Sequence, residues 1–397
     1  MVKISPLQPY IPADPSEFCT RPYDVIEPDE EQALKKNPRS LVHLILPDGE
    51  GDAKYEHAAQ IYQQFKDSGT ITRVDTPSIF VYRQGSPEFM QEGFIVGLSL
   101  DDYDCGCIIR HERTREKPLQ DRVKIYEATR VVPGLVWTFY RANPRIKDVL
   151  DAITRHEPLF SFPKYGYENT LWRESDPEVI SDLQALLATE YVYIADGHHR
   201  CAAAAEFRER RLAELGDDAA WDAPWQSVMA YVAPDDAVRI LPYNRVIRRL
   251  PMDDAEFIEK IGEIFTVTQD AGAFFPGKKH EFAMCLRGTW YCLVYEDEEP
   301  TPLQDLDVSI LQERVLGPVL GIEDPRSDEN LFFVGGVTDL EALEANVTTC
   351  GNDMLFLLYP VQVQDLEQIA DGKDVMPPKS TWFDPKLLSG LTLNELS

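Results

Sequence analysis

Tyr191-Val-Tyr-Ile-Ala-Asp196-Gly-His-His-Arg200-Cys-Ala-Ala-Ala-Ala-Glu-Phe207 is the stretch on which the reading of this chain turns. Its opening run, Tyr191 to Ala195, is apolar, β-branched or aromatic and reads as a buried strand. Asp196-Gly197 then makes a tight turn, and the alanine-rich residues from Cys201 to Leu215 have strong helix propensity. A strand, a glycine turn and a helix start aim backbone N–H groups and the positive end of the helix at one point. Such a point attracts anions, phosphate above all. At that turn His198 and His199 can donate protons or hydrogen bonds, and Arg200 can clamp a phosphate through two parallel bonds. In the plainer reading Asp196 caps the helix, Gly197 makes the turn and the histidines are solvated. An unbroken polar run between a buried strand and a helix favours a site, because loops at strand ends carry function disproportionately.

Composition bounds the rest. A chain of 397 residues, 44% of them hydrophobic, has room for two or three globular domains. No apolar run is long enough for a membrane span. The first residues lack a basic segment followed by an apolar one, so a cytoplasmic protein is expected. The seven cysteines are scattered, and the one close pair, Cys105-Gly-Cys107, is too isolated to suggest a zinc framework. A net charge of −29 repels nucleic-acid phosphates and anionic lipid, so neither a nucleic acid nor a membrane is an expected partner.

Along the chain, Leu41-Val-His-Leu-Ile-Leu46 reads as a buried strand, and residues 55–68 as an amphipathic helix ending at Gly69. Strands are expected over 78–83 and 92–100. After Ile108-Ile109 comes His111-Glu-Arg-Thr-Arg115, then a helix opened by Asp121-Arg122. A zinc-protease motif would need a second histidine at Arg115, so that reading fails, but Glu112 and His111 remain candidates for metal or proton work. Residues 145–190 carry two helices around a proline-broken segment. Residues 282–295 read as a hairpin around Gly288-Thr289. Near the end, Met376-Pro-Pro-Lys-Ser-Thr-Trp-Phe-Asp-Pro-Lys386 brackets hydroxyls and lysines with prolines and aromatics. Lys379, Ser380, Thr381 and Lys386 are donors of the kind that bind phosphate oxygens.

Taken together these motifs resemble the bacterial and archaeal DUF1015 family. The segments that carry the resemblance are Arg21-Pro-Tyr-Asp-Val-Ile26, Asn37-Pro38, His111-Glu-Arg-Thr114, Asp121-Arg122, Ile194-Ala-Asp-Gly-His-His-Arg200, Met376-Pro-Pro-Lys-Ser-Thr381, Pro385-Lys386 and Ser389-Gly390. More distantly, the turn from Gly197 to Arg200 followed by Ala203-Ala204 is similar to a Gly-x-x-Arg-x-x-Ala-Ala pattern of the ParB/sulfiredoxin-like fold. That fold includes CTP-hydrolysing partition proteins, sulfiredoxins and free-serine kinases, which bind nucleotide phosphates at this turn. The resemblance implies an α+β chain: a ParB/sulfiredoxin-like mixed-sheet core over residues 1–234, elaborated with further α+β elements. An α+β domain over 235–397 follows, with its 376–381 segment returning to the site.

The function this implies is a nucleotide-dependent phosphotransferase acting on a small hydroxyl compound, with free serine as one candidate. ATP or ADP with Mg²⁺ would be the cofactors. Gly197, His199 and Arg200 would hold phosphates, with Lys379, Ser380 and Thr381 closing over them. Glu112, Asp196 and His198 are the catalytic candidates, Asp196 also the metal ligand, and Asp24 an outside one. Two alternatives stand beside it. One is a metal-dependent phosphoesterase using Asp196, His198, His199 and His111, although its spacing departs from a contiguous Asp-His-His. The other is a non-catalytic nucleotide-binding module of the partition type, which lacks an evident basic DNA-binding helix here.

Overall fold

The computed structural model describes residues 1–112, 114–269, 272–296 and 300–397, with only the backbone at position 217. The chain is α+β and divides into two units. The first comprises Met1–Arg110, Thr114–Val238 and the terminal Pro385–Ser397, and the second comprises His111–Arg113 and Arg239–Asp384.

The first unit is built on a nine-stranded mixed sheet. Its order is Ile108–Ile109, Val192–Asp196, Val136–Tyr140, Ser227–Pro234, Met90–Ser99, Ile79–Gly85, Tyr167–Glu174 and Phe160–Lys164, with Ile4–Ser5 paired to Met90–Ser99. Val192–Asp196 runs parallel to Ile108–Ile109 and antiparallel to Val136–Tyr140. The central strands are apolar on both faces, as strands covered on both sides must be: Val136 to Tyr140 and Val228 to Ala233 are buried throughout. The helix His198–Leu215 packs on Glu116–Thr129, and a charged network ties the two. Within it Gln120 donates to Glu206 at 2.9 Å, and Arg210 pairs with both Glu127 and Glu206.

The C-terminal segment is stitched into the same unit by backbone bonds. Ser389 and Thr20 exchange a pair of them, at 2.9 and 3.2 Å, and Gly390 N donates to Pro133 O at 3.0 Å. Asn394–Glu395 then pairs with Val131–Val132.

The second unit has its own six-stranded antiparallel sheet. Its core is Val246, Ala283, Cys285, Trp290, Leu355 and Leu357, packed with Leu343 and Val347 of the helix Leu340–Thr348. The hairpin expected over 282–295 is present as Glu281–Leu286 and Thr289–Val294.

Two local expectations differ from the structure. Residues 41–46 form a short helix, Val42–Ile45, instead of a strand. The run is buried either way, with Leu41, Val42 and Leu44 fully covered, and Ser40 Oγ accepts the Val42 N–H at 3.3 Å to start the turn. Between the two helices Pro144–Ile153 and Pro177–Leu187 lies an antiparallel strand pair, Phe160–Lys164 and Tyr167–Glu174, not merely broken chain. Pro163 is tolerated because its strand lies at the end of the sheet order, where no ladder bond is demanded on the outer side.

Candidate functional site

The strand Val192–Asp196 ends in an irregularity. Ile194 pairs with Thr138 and Asp196 with Trp137, so Ala195 is an extra residue in the ladder. A bulge of this kind bends the strand and re-aims the residues that follow. Gly197 comes next in the left-handed region, with φ 93°. A Cβ there would lie 2.9 Å from Arg200 Nε and 3.0 Å from its Cζ, so both the conformation and the space demand glycine. The helix His198–Leu215 starts immediately, with Gly197 as its N-cap residue and no side-chain cap. Its first bond, Cys201 N to Gly197 O, is 2.9 Å. Strand, glycine turn and helix start therefore stand as the sequence implies.

Asp196 is the electrostatic centre of the turn. Its Oδ1 accepts the Gly197 N–H at 2.8 Å and its Oδ2 accepts from Lys386 Nζ at 3.0 Å, with Arg200 Nη2 at 3.8 Å. Burial works against the charged form, but Lys386 and Arg200 overcome it and hold the carboxyl well below the ordinary carboxylate range. Asp196 is thus a fixed anion, pre-paired by cations of its own unit.

Arg200 is only 6% exposed. Its Nη1 donates to the Leu135 carbonyl, and its charge faces Asp196 and Asp24. The guanidinium is therefore already engaged inside the unit, and less of its fork remains for a ligand than the sequence suggests. His198 is equally buried, which pushes its pKa down to about 4, so the ring is neutral at pH 7. His199 is half-buried, and its Nε2 accepts the Arg115 N–H at 3.0 Å, which leaves the ring proton on Nδ1. Arg115 is the N-cap residue of Glu116–Thr129, so this bond joins the starts of the two helices.

Residues of the N-terminal motif gather beside them. Arg122 lies over the Tyr23 ring, 3.9 Å from its centroid, and reaches the Ile45 carbonyl at 3.3 Å. Burial and the Asp24 charge raise the Tyr23 hydroxyl, against the pull of Arg122 and Arg200. Asp121 takes Lys54 at 2.6 Å and Tyr55 at 2.9 Å; burial opposes its charge, but Arg122 and these donors bring it down to about 2. Tyr23, Arg122 and Asp121 are site neighbours that residue type did not single out, and Lys386 was read as a phosphate donor but not as the partner of Asp196. Their signal in the sequence was membership of the motif segments, with nothing to say that those segments meet.

The remaining candidates lie in the second unit. Glu112 is half-buried, its neighbour His111 is buried, and Arg113 is outside the described residues. The His111 carbonyl accepts the Met376 N–H at 3.1 Å. Lys379 sits in the left-handed region, with φ 57°, and donates from Nζ to Tyr243 Oη at 3.3 Å. Ser380 is buried and donates to the Pro377 carbonyl at 2.6 Å, so its hydroxyl already serves the turn. Thr381 is half-buried, just before the strand Trp382–Phe383. No helix of the described residues is long and apolar enough to cross a membrane.

Among curated proteins, none matches this chain. Several solved structures do. A free serine kinase variant in complex with ADP is 14% identical with a TM-score of 0.36, and the match covers 73% of this chain and 87% of that one. A conserved hypothetical protein from Pyrococcus furiosus is 15% identical, TM-score 0.36, over 75% of this chain and 95% of the other. SbnI with a C-terminal truncation, from Staphylococcus aureus, is 12% identical, TM-score 0.37, over 76% and 87%. The family model described as "protein of unknown function (DUF1015)" matches residues 7–309, and the chain belongs to the DUF1015 family.

Proposed function

We propose that this protein is a nucleotide-dependent phosphotransferase acting on a small hydroxyl compound, with free L-serine the first substrate to test. The observation that carries the reading is the Gly197 turn. A left-handed glycine opens a long helix that has no side-chain cap, beside Lys386, whose ammonium is held by Asp196. The positive helix end and an anchored ammonium together suit the phosphates of ATP or ADP.

Roles follow from the charges. Asp196 is too acidic to take a proton from a hydroxyl near neutral pH, so it serves as the anchor for Lys386 and Arg200. Neutral His198 and Glu112 remain the candidates for proton transfer. Gly197 and His199 shape the phosphate cradle, and Arg200 fixes the turn from beneath. Lys379, Ser380 and Thr381 are kept as proposed phosphate donors, and Ser380 would donate only on releasing the Pro377 carbonyl that now takes its proton. Mg²⁺ would enter on the nucleotide's phosphates. Asp196 fits it poorly as a lone ligand, because Lys386 occupies the same carboxylate. The phosphoesterase reading draws no support from ligand geometry. Among the described residues, the group of His, Cys, Asp and Glu placed to hold a metal is elsewhere.

The test is calorimetry with ATP, ADP, AMP, CTP and inorganic phosphate, on the wild type, Lys386→Ala and Gly197→Ala. Arg200→Ala is a poor probe, since it would empty a buried position. Nucleotide binding weakened at least tenfold in Lys386→Ala, followed by ³¹P NMR detection of phosphoserine, is the expected result. Absence of binding by every nucleotide overturns the proposal.

A further inference from the structure

Away from the Gly197 turn, at the other end of the same strand, a donor cluster has no part in the proposed chemistry. The long strand Met90–Ser99 runs into the helix Leu100–Asp104, and the chain turns through Cys105 and Gly106 into Cys107 and the strand Ile108–Ile109. Val192 N donates to Cys107 O at 3.2 Å, which places this turn at the start of Val192–Asp196. Along that strand the cluster is roughly 13 Å from Asp196, at about 3.3 Å per residue.

We propose that Asp102, Cys105 and Cys107 form a binding site for a borderline-soft divalent cation of the zinc type. One ligand atom from each lies within 4.8 Å of the others, and the two sulfurs are 3.1 Å apart. Two sulfurs bound tetrahedrally at about 2.3 Å stand roughly 3.8 Å apart, so a small rotation of the exposed Cys105 side chain opens the pair to fit.

The backbone holds the ligands in place without a metal. Cys105 N donates to Asp101 O at 3.0 Å, Gly106 N to Tyr103 O at 3.3 Å and Cys107 N to Asp102 O at 2.8 Å. Gly106 has φ 80°, the conformation that lets the two thiols face one another. Asp102 is only 5% exposed, and the Lys3 N–H binds its Oδ2 at 2.5 Å. The acidic neighbours are otherwise employed: Arg208 pairs with Asp104 at 2.7 Å and with Asp101. The Cys105 thiol donates to the Cys107 sulfur, so the two already face one another.

Two thiolates and one carboxylate leave a coordination position for water. The cluster fixes the crossing from one sheet strand to another, so its ion would brace the edge beside Val192–Asp196. The sequence alone hid it because the third ligand is an aspartate three residues before the first cysteine, brought round by a single helical turn.

The test uses the full chain, reduced and metal-free, titrated with Co²⁺ and then Zn²⁺. One equivalent of Co²⁺ should give a thiolate-to-cobalt charge-transfer band in the near ultraviolet and tetrahedral bands in the visible, and Zn²⁺ should abolish both. Cys105→Ser and Cys107→Ser should each weaken binding by roughly 100-fold, and Asp102→Asn by roughly tenfold. Cys350→Ser, at another exposed cysteine, should change nothing. Circular dichroism of each variant separates lost ligands from lost fold. Absence of the charge-transfer band overturns the proposal, as does a band that survives both cysteine variants. So does reduced protein that gains a Cys105–Cys107 disulfide in air at the same rate with and without Zn²⁺.

Discussion

Replacing Lys386 with methionine isolates the charge that compensates Asp196. Lys386 Nζ lies 3.0 Å from Asp196 Oδ2, and the two side chains are 14% and 23% exposed. At an effective dielectric constant near 20, unit charges at that separation attract by about 5 kcal/mol. Partial exposure and the remaining Arg200 at 3.8 Å reduce what is lost. Removing one partner of a largely buried pair costs about 3–5 kcal/mol, so about 2–3 kcal/mol is expected here at pH 7.5. The sign with pH follows from the depressed carboxyl. A group whose folded pKa lies below its unfolded value of about 3.9 contributes its stability above that value, and loses it as pH falls toward the folded one. Lys386→Met should therefore cost its full amount above pH 5, keep a large part of that cost at pH 3, and lose it only as pH falls further toward the depressed folded value. Urea unfolding of the wild type, Lys386→Met, Asp196→Asn and the double variant, at several pH values, measures this. Coupling near 2 kcal/mol is expected from the double-mutant cycle. A cost below about 0.5 kcal/mol at pH 7.5, with additive single variants, would refute the reasoning.

Gly197→Ala forces a left-handed alanine and drives a Cβ to within 2.9 Å of the Arg200 guanidinium. A loss of about 1–3 kcal/mol by urea unfolding is expected, with nucleotide affinity falling as well. In the second unit, Asp307 is buried, and burial lifts its carboxyl to about 7 against the hydrogen bonds from His280 N and Tyr359 N. A raised folded pKa confers stability that is complete below the unfolded value near 4 and is lost as pH rises through about 7. Asp307→Asn should thus stabilise by about 1–3 kcal/mol at pH 8 and change stability by less than about 1 kcal/mol at pH 5, read by thermal melting across that range. A variant less stable at pH 8 than at pH 5, relative to wild type, contradicts the buried-carboxyl argument.

The legible parts of the fold were those where one local signal sufficed. The apolar run before Asp196, the glycine and the alanines after it each favour one conformation, and no distant residue has to intervene. Residues 41–46 were ambiguous because a short buried run satisfies either period; the Ser40 hydroxyl tips it toward a turn of helix. Pro158 and Pro163 masked a strand pair, because proline argues against a central strand while an edge strand accepts it. At the site, Asp196 was legible as special but not as paired. Lys386 stands 190 positions away in the chain, and no spacing rule joins the two. Lys379 and Ser380 were read as donors from their type, whereas the structure shows a Tyr243 contact for one and a turn bond for the other.

Arg200 shows what residue type alone leaves out at such a turn. An arginine at a helix start is attractive as a phosphate ligand, yet here it is buried, bonded to the Leu135 carbonyl and packed against Gly197. The burial is intelligible once Asp196 is considered. A carboxylate removed from water at a bulged strand end needs cations close by, and one fixed from within the helix is the most rigid supplier. In the proposed site Lys386, whose ammonium lies against Asp196 at the start of the helix, is the cation that meets an incoming anion. The chain's charge of −29 then ceases to be an obstacle. Repulsion from distant surface acids is screened within about 10 Å at ordinary salt, whereas a cation and a helix end in contact with phosphate are screened far less. An acidic protein can thus bind an anionic nucleotide, provided the compensating charges are built into one turn.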